Sequence, residues 1–422
     1  MPRALAPEVK IREVWAWSMY DFANSAYTTV VITAVFSAYF VSVVAGNAPW
    51  ATFAWTAALS LSYAVILFAG PLIGAWADAH GAKKRLLFLT TIGCVLFTGL
   101  LYFAGPGAVA LSLTLLIASN FFFGAGENVI AAFLPELADS RAMGRVSGWG
   151  WSFGYLGGLV ALGLCLFYIN ASEGKPASEF VPVTMLITAA FFAAAAIPTF
   201  LWLRERAVPQ PRMENPWRRV AETIRNSARY VDLRRFLVCL LFYQAGITAV
   251  VSLAAIYAEQ AMKFSTQQTI LLILVVNITA AIGAFGFGYL QDAVGHVRAV
   301  AITLVGWIVM VLLAGFSTTS LTFWLAANLA GLCMGSAQAA GRALVGYLSP
   351  PARLAEFFGL WGLAVKAASI FGPLTYGAVT LLFPGNHRLG IFVTGIYFVI
   401  GLALLRKIDV ERGRAAALNS GA

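Results

Sequence analysis

Few ionisable or amide side chains interrupt the apolar stretches of this 422-residue chain, and chemistry could occur at those few. Asp21, Asn24 and Tyr27 lie in "WAWSMYDFANSAYTTVV", Trp15 to Val31. Glu127 and Asn128 lie in "FFFGAGENVIAAF", Gln244 follows Tyr243, Gln338 and Arg342 stand one helical turn apart, and Lys366 sits in "GLAVKAAS". A charge near a bilayer centre costs about 2.5–3.5 kcal/mol on insertion scales, so each needs a reason. The chemistry on offer is holding charge, not breaking bonds. A carboxylate can take an ammonium group or a proton, a guanidinium or ammonium can take a carboxylate, and amides and phenols can orient a polar solute. The sequence has no HExxH, no GxSxG and no clustered histidine, and no GxxxxGK[ST] loop that would cradle a nucleotide. The expectation is a protein that is not an enzyme and needs neither cofactor nor metal. Cys94, Cys165, Cys239 and Cys333 each stand alone, without a CxxC or Cys/His spacing.

Each charged residue admits more than one role. Asp21 can cap a helix or staple helices at the membrane rim, where the dipole favours a carboxylate, or it can bind a proton or solute. Glu127 and Arg342 can form an inner gate, hold opposite ends of a zwitterion, or pair locally. Lys366, about ten residues into its apolar stretch, is too deep to reach the interface easily, and it can serve a solute, a gate or a structural pair. At about 100° per residue, Trp17, Tyr20, Asp21, Asn24, Tyr27, Thr28 and Val31 share one arc. A polar stripe in lipid must turn toward protein or water, so Asn24 and Tyr27 are expected to touch the solute.

The elements that must position these residues follow from composition. The chain is 60% hydrophobic and 11% charged, against about 25% charged in soluble domains. Spans of roughly 20 apolar residues fall at 14–44, 51–76, 84–104, 108–134, 144–170, 181–203, 236–259, 267–290, 297–315, 321–347, 356–383 and 387–405. Twelve crossings place 24 of the 28 Lys and Arg on the side of the N-terminus and three, Lys175, Lys263 and Arg388, on the other. That asymmetry predicts an integral membrane protein with both termini cytoplasmic. The net charge of +10 therefore points to anionic membrane lipids at the inner loops, and no nucleic-acid partner is expected. Residues 204–235 form a basic cytoplasmic linker in which 216–232 reads as an amphipathic helix. They separate an N-terminal bundle, 1–203, from a C-terminal bundle and tail, 236–422.

The two bundles read as a duplication. "GAWADAHGAKKR" carries Gly74, Asp78, Gly81, Lys84 and Arg85, and "GYLQDAVGHVR" carries Gly288, Asp292, Gly295 and Arg298. Their offset of 214 also pairs Gly158 with Gly372 and sets Asn128 opposite Arg342. The glycines permit tight turns between helices, and the aspartates can accept hydrogen bonds from amides at a neighbouring helix N-terminus.

The first of these loops resembles the signature G-x-x-x-D-x-x-G-x-[KR]-[KR] of the major facilitator superfamily, with a weaker second copy. "WxxYDFANSAY", "FLPELA", "GRVSGWGWSFGYLGG", "SAQAAGRALVGYLSP" and "EFFGLWGLAVKAASIFGP" are similar to the bacterial relatives of the fungal vacuolar amino-acid effluxer linked to autophagy. The resemblance implies an all-α membrane protein of twelve transmembrane helices in two pseudo-symmetric six-helix bundles. It implies a motif that latches the cytoplasmic side, and a monomeric secondary transporter moving a small polar solute by alternating access, with a proton as the coupling ion. "FYQAGI" departs from the Tyr-Asn-Asp-Gly of those relatives; if that acid serves ion coupling in them, the coupling here differs or moves to Asp21 or Glu127. An exporter of drug-like compounds and a non-transporting sensor on the same fold are the alternatives.

Overall fold

A computed structural model describes residue 5 and residues 8–137, 143–172, 174–206, 215–350 and 354–419. Among them twelve helices are long and apolar enough to cross a membrane. They run Ile11–Val44, Ala51–His80, Lys83–Leu100, Val109–Ala131, Met143–Ala171 and Ala177–Trp202 as spans 1 to 6. Val231–Gln260, Thr266–Val294, His296–Phe316, Ser320–Leu348, Leu354–Leu382 and His387–Leu405 are spans 7 to 12. Helices suit a bilayer because every backbone group is satisfied within its own segment.

Span 1 departs from the regular winding on which the polar arc was drawn. It is α-helical to Ala26, π-helical over Tyr27–Ala34, α-helical over Phe36–Tyr39 and π-helical again over Phe40–Val44. The wider i→i+5 turns break the 100° register beyond Ala26, with Val35 N–H reaching the Val30 carbonyl at 2.9 Å. Span 11 continues unbroken through Pro373.

The amphipathic helix of the linker is shorter than the sequence predicts. Pro216–Asn226 is helical, a 3₁₀ turn covers Ser227–Arg229, and Tyr230 leaves helical geometry at φ −107°, ψ 73°. Val231 then begins span 7.

The chain packs into two compact units: Met1–Ala51 with Leu61–Pro216 and Ser265–Leu271, and Thr52–Ser60 with Trp217–Phe264 and Leu272–Ala422. The opening turns of span 2 belong to the second unit for a local reason. Ser60 donates its hydroxyl to the Ile370 carbonyl at 2.7 Å, and Gly377 leaves room for the Thr56 side chain.

Inside the first unit, Trp17 Nε1 donates to the Ile130 carbonyl at 2.9 Å and Thr199 to the Ala16 carbonyl at 2.7 Å, tying span 1 to spans 4 and 6. Asn120 donates to Ser62 across spans 4 and 2. Asn277 instead donates to Ile273 within its own helix.

Candidate functional site

Span 1 rests on a glycine seam of span 5. A Cβ at Gly150 would lie 2.5 Å from Asp21 Oδ2 and 2.7 Å from the Trp17 ring. One at Gly154 would lie 2.9 Å from Ser25 Oγ, one at Gly158 2.7 Å from Thr29 Oγ1, and one at Gly157 would collide with the Phe22 carbonyl. Small residues let membrane helices approach this closely. "GWGWSFGYLGG" is thus the surface that holds the Asp21 segment, and Asp21, half-buried, lies against it.

Tyr27 does not line an open path. It is fully buried, its hydroxyl shares a hydrogen bond with Ser119 Oγ at 2.9 Å, and its ring stacks on Phe123 at 5.0 Å. Tyr20 is buried likewise, sharing a hydrogen bond with Thr91 at 3.1 Å. A phenol inside a bundle needs a polar partner for its hydroxyl, and both find one on a neighbouring helix. The Tyr27 hydroxyl, expected from the sequence to touch the solute, is bonded to Ser119 in this structure. Asn24 is buried, Glu127 half-buried and Asn128 exposed, with the Asn128 amide beside Gly70 of span 2.

The second unit repeats this packing. The Tyr20 hydroxyl sits against Gly126, and the Tyr243 hydroxyl against Gly341; Gly157 meets the Phe22 carbonyl, and Gly372 the Ala245 carbonyl. Span 1 therefore maps onto span 7 by a step of 223, as in Tyr20 to Tyr243, and spans 4 and 5 map onto 10 and 11 by 215, as in Gly126 to Gly341. The 214 register of the loop motif therefore does not carry into spans 4 and 5, where the sequence paired Gly158 with Gly372 and Asn128 with Arg342. Loops absorb an extra residue freely, whereas a hydroxyl seated on a glycine fixes which turns face each other. In the packing register Asp21 corresponds to Gln244, Glu127 to Arg342, and Trp151 to Lys366. A carboxylate in one bundle thus occupies the position of a guanidinium in the other.

Gln244 is buried, and Gln338, Arg342 and Lys366 are half-buried. The Arg342 guanidinium lies 5.2 Å from the Trp361 ring, a cation–π contact between spans 10 and 11. Gly359 and Gly362 share a helical face with Lys366, and a Cβ at either would meet nothing within 4 Å.

The loop motif builds a staple. Gly81 ends span 2 in the left-handed region at φ +56°, and Gly295 turns the second copy at φ +88°, conformations that glycine alone adopts freely. The side chains of Asp78 and Asp292 lie outside the described residues. The anion at the N-terminus of span 3 is Glu205, whose two carboxylate oxygens accept the Lys83 and Lys84 amides at 2.6 and 3.1 Å. Lys84 Nζ donates to the Leu203 carbonyl at 2.7 Å. Lys83 pairs with Glu136 at 3.1 Å, Glu136 accepts the Arg206 amide at 2.7 Å, and Arg206 pairs with Glu13 at 2.8 Å. Glu136 is therefore paired and mostly buried. The Glu13 hydrogen bond also holds the Arg206 guanidinium above its ordinary pKa. Gly74, Arg85 and Arg298 are exposed.

The second unit has its own staple. Asp232, 2% exposed, takes a two-pronged bond from Arg412 at 2.6 and 2.7 Å and accepts the Asp409 amide at 3.0 Å. In each unit an acid at the start of the first span holds an arginine beyond the last. Sequence reasoning missed Glu13, Glu205 and Asp232. The available signal was an acid in the opening turn of spans 1 and 7, with arginine after spans 6 and 12.

A family model described as "Vacuole effluxer Atg22 like" matches residues 51–418. The chain is 27% identical over 406 residues to the uncharacterized MFS-type transporter YxiO of Bacillus subtilis (strain 168), covering 94% of each. It is 24% identical over 321 residues to autophagy-related protein 22-1 of Penicillium rubens, covering 69% of this chain and 53% of that protein. The chain thus spans about half the length of such fungal relatives. Among solved structures, nucleoside transporter NupG matches with a TM-score of 0.68 at 13% identity, covering 95% of this chain and 98% of that one. A D-xylose–proton symporter matches with a TM-score of 0.69 at 14% identity, covering 96% and 99%. At such identity the structures establish the fold, and the family match establishes kinship. The chain is an MFS-type transporter, not an enzyme, and it belongs to the vacuole effluxer Atg22-like family.

Proposed function

We propose that this transporter carries a small zwitterion, such as an amino acid, by proton-coupled alternating access, with both termini on the cytoplasmic face of a bacterial inner membrane. The observation that carries the reading is the opposite charge of Glu127 and Arg342 at corresponding positions of the two bundles. Glu127 takes the ammonium end of the solute, and Arg342 with Lys366 takes the carboxylate. Asn24, Asn128, Gln244 and Gln338 orient it. Asp21, beside Gly150, exchanges the proton. The effluxer description of the family supports a metabolite as cargo, and the Lys and Arg asymmetry supports the orientation.

Counterflow in proteoliposomes tests this. Vesicles preloaded with single unlabelled amino acids, nucleosides or sugars are offered the labelled counterpart. Exchange is expected for at least one zwitterionic amino acid and is expected to disappear in Glu127→Gln and Lys366→Met at normal expression. Exchange of a nucleoside or sugar, with none of any amino acid, would overturn the reading. Binding without any exchange would indicate a sensor.

A further inference from the structure

Two cavities open where span 7 begins and span 12 ends. One, of about 320 Å³, lies among Arg234, Arg235, Lys407 and the apolar Val231, Val238 and Leu404, with no acid in its lining. The other, of about 360 Å³, shares Val231 and Arg235 with it and adds Arg229 and Arg412. The only acid there, Asp232, is buried and already holds Arg412. Arg229, Arg234, Arg235, Lys407 and Arg412 are exposed.

The apolar part of the first cavity is as telling as its charge. Val231 is 48% and Val238 43% exposed, about two helical turns apart on span 7. Side chains on a membrane-spanning helix that are open to its outside face acyl chains. Arginines on the same helix end meet the headgroup layer.

We propose that this groove is a binding site for one anionic phospholipid. Its phosphate lies between Arg234 and Lys407, and an acyl chain runs from there toward the bilayer core along Val238 and Leu404. Planar guanidinium groups suit phosphate oxygens, and basic pockets between helices on the cytoplasmic side accept anionic headgroups. The start of span 7 adds the positive end of its dipole. Arg235 already donates to the Lys407 carbonyl at 3.0 Å, so the two span ends are joined before lipid arrives. The lipid completes that junction and stabilises the second unit. The inference rests on the membrane placement of spans 7 and 12 and is independent of the solute.

The test uses the full-length chain in detergent, titrated with phosphatidylglycerol or phosphatidylcholine and followed by thermal unfolding and native mass spectrometry. Phosphatidylglycerol is expected to raise Tm and leave one tightly held adduct, and phosphatidylcholine to do neither. Arg234→Gln/Lys407→Gln is expected to bind about thirtyfold more weakly, the loss of two surface cations beside an anionic headgroup. Lys10→Gln/Arg204→Gln, which removes two exposed cations of the first unit, is expected to keep the shift. If the first pair fails to fold, Lys407→Gln alone is expected to lose the tight adduct. An unchanged adduct in either variant, equal loss in the control pair, or the same shift from inorganic phosphate would overturn the proposal.

Discussion

At the scale of single residues, close approach of backbones decides more than side-chain polarity. Gly157 and Gly372 each lie where a Cβ would strike a backbone carbonyl of the facing span, which cannot rotate away. Gly157→Ala and Gly372→Ala are therefore expected to destabilise by about 1–3 kcal/mol through overpacking, read as a fall in Tm in detergent. Gly163, with nothing within 4 Å of its Cβ position, is the control. Gly163→Ala is expected to leave Tm unchanged or raise it, since glycine inside a helix is intrinsically costly. Tyr27 gives a second contrast. Tyr27→Phe removes a hydroxyl bonded to buried Ser119 and is expected to lower stability by about 1 kcal/mol, with solute affinity unchanged in a binding titration. A fall in affinity at unchanged Tm would return Tyr27 to the solute path.

At the scale of elements, the ends of the spans are held by residues far away in sequence. Span 3 has no local cap, and its first amides are satisfied by Glu205, more than a hundred residues later. Glu205→Gln keeps the shape but removes the charge facing the helix dipole, and a loss of about 0.5–2 kcal/mol is expected, the range typical of helix caps. The Glu13–Arg206 staple behaves differently, because both partners hold each other in one geometry. Glu13→Gln and Arg206→Gln are each expected to cost about 2 kcal/mol as charge-assisted hydrogen bonds are lost. The double variant is expected to cost less than the two single costs together, since contacting residues are not additive. Additive losses in a thermal or denaturant series would mean that the two residues stabilise the protein separately.

At the scale of the whole molecule, duplication supplies two bundles with one packing scheme and different charges. Tyr20 on Gly126 and Tyr243 on Gly341 are the shared scheme, and Glu127 against Arg342 is the difference. If these two charges act as partners of one zwitterion, each single reversal places like charge against one end of the solute. Glu127→Arg and Arg342→Glu are each expected to lower exchange at least about tenfold, and the double reversal to recover part of it. A double variant no more active than either single one would assign the two residues to separate local pairs.

The sequence by itself determined the twelve spans, the basic linker and the duplication. A stretch of about twenty apolar residues satisfies its backbone in lipid as a helix, and such helices are local in sequence. It also marked Glu127, Arg342 and Lys366, because a charge in an apolar stretch is conspicuous. The register relating the bundles was decided by the tertiary structure, since it depends on which glycine a tyrosine hydroxyl meets. So were the burial of Tyr27, the π-helical winding of span 1 and the staples of Glu13, Glu205 and Asp232. Each of these rests on contacts between side chains or carbonyls on different helices. Such contacts have no period along the chain, and only folded helices bring their members together.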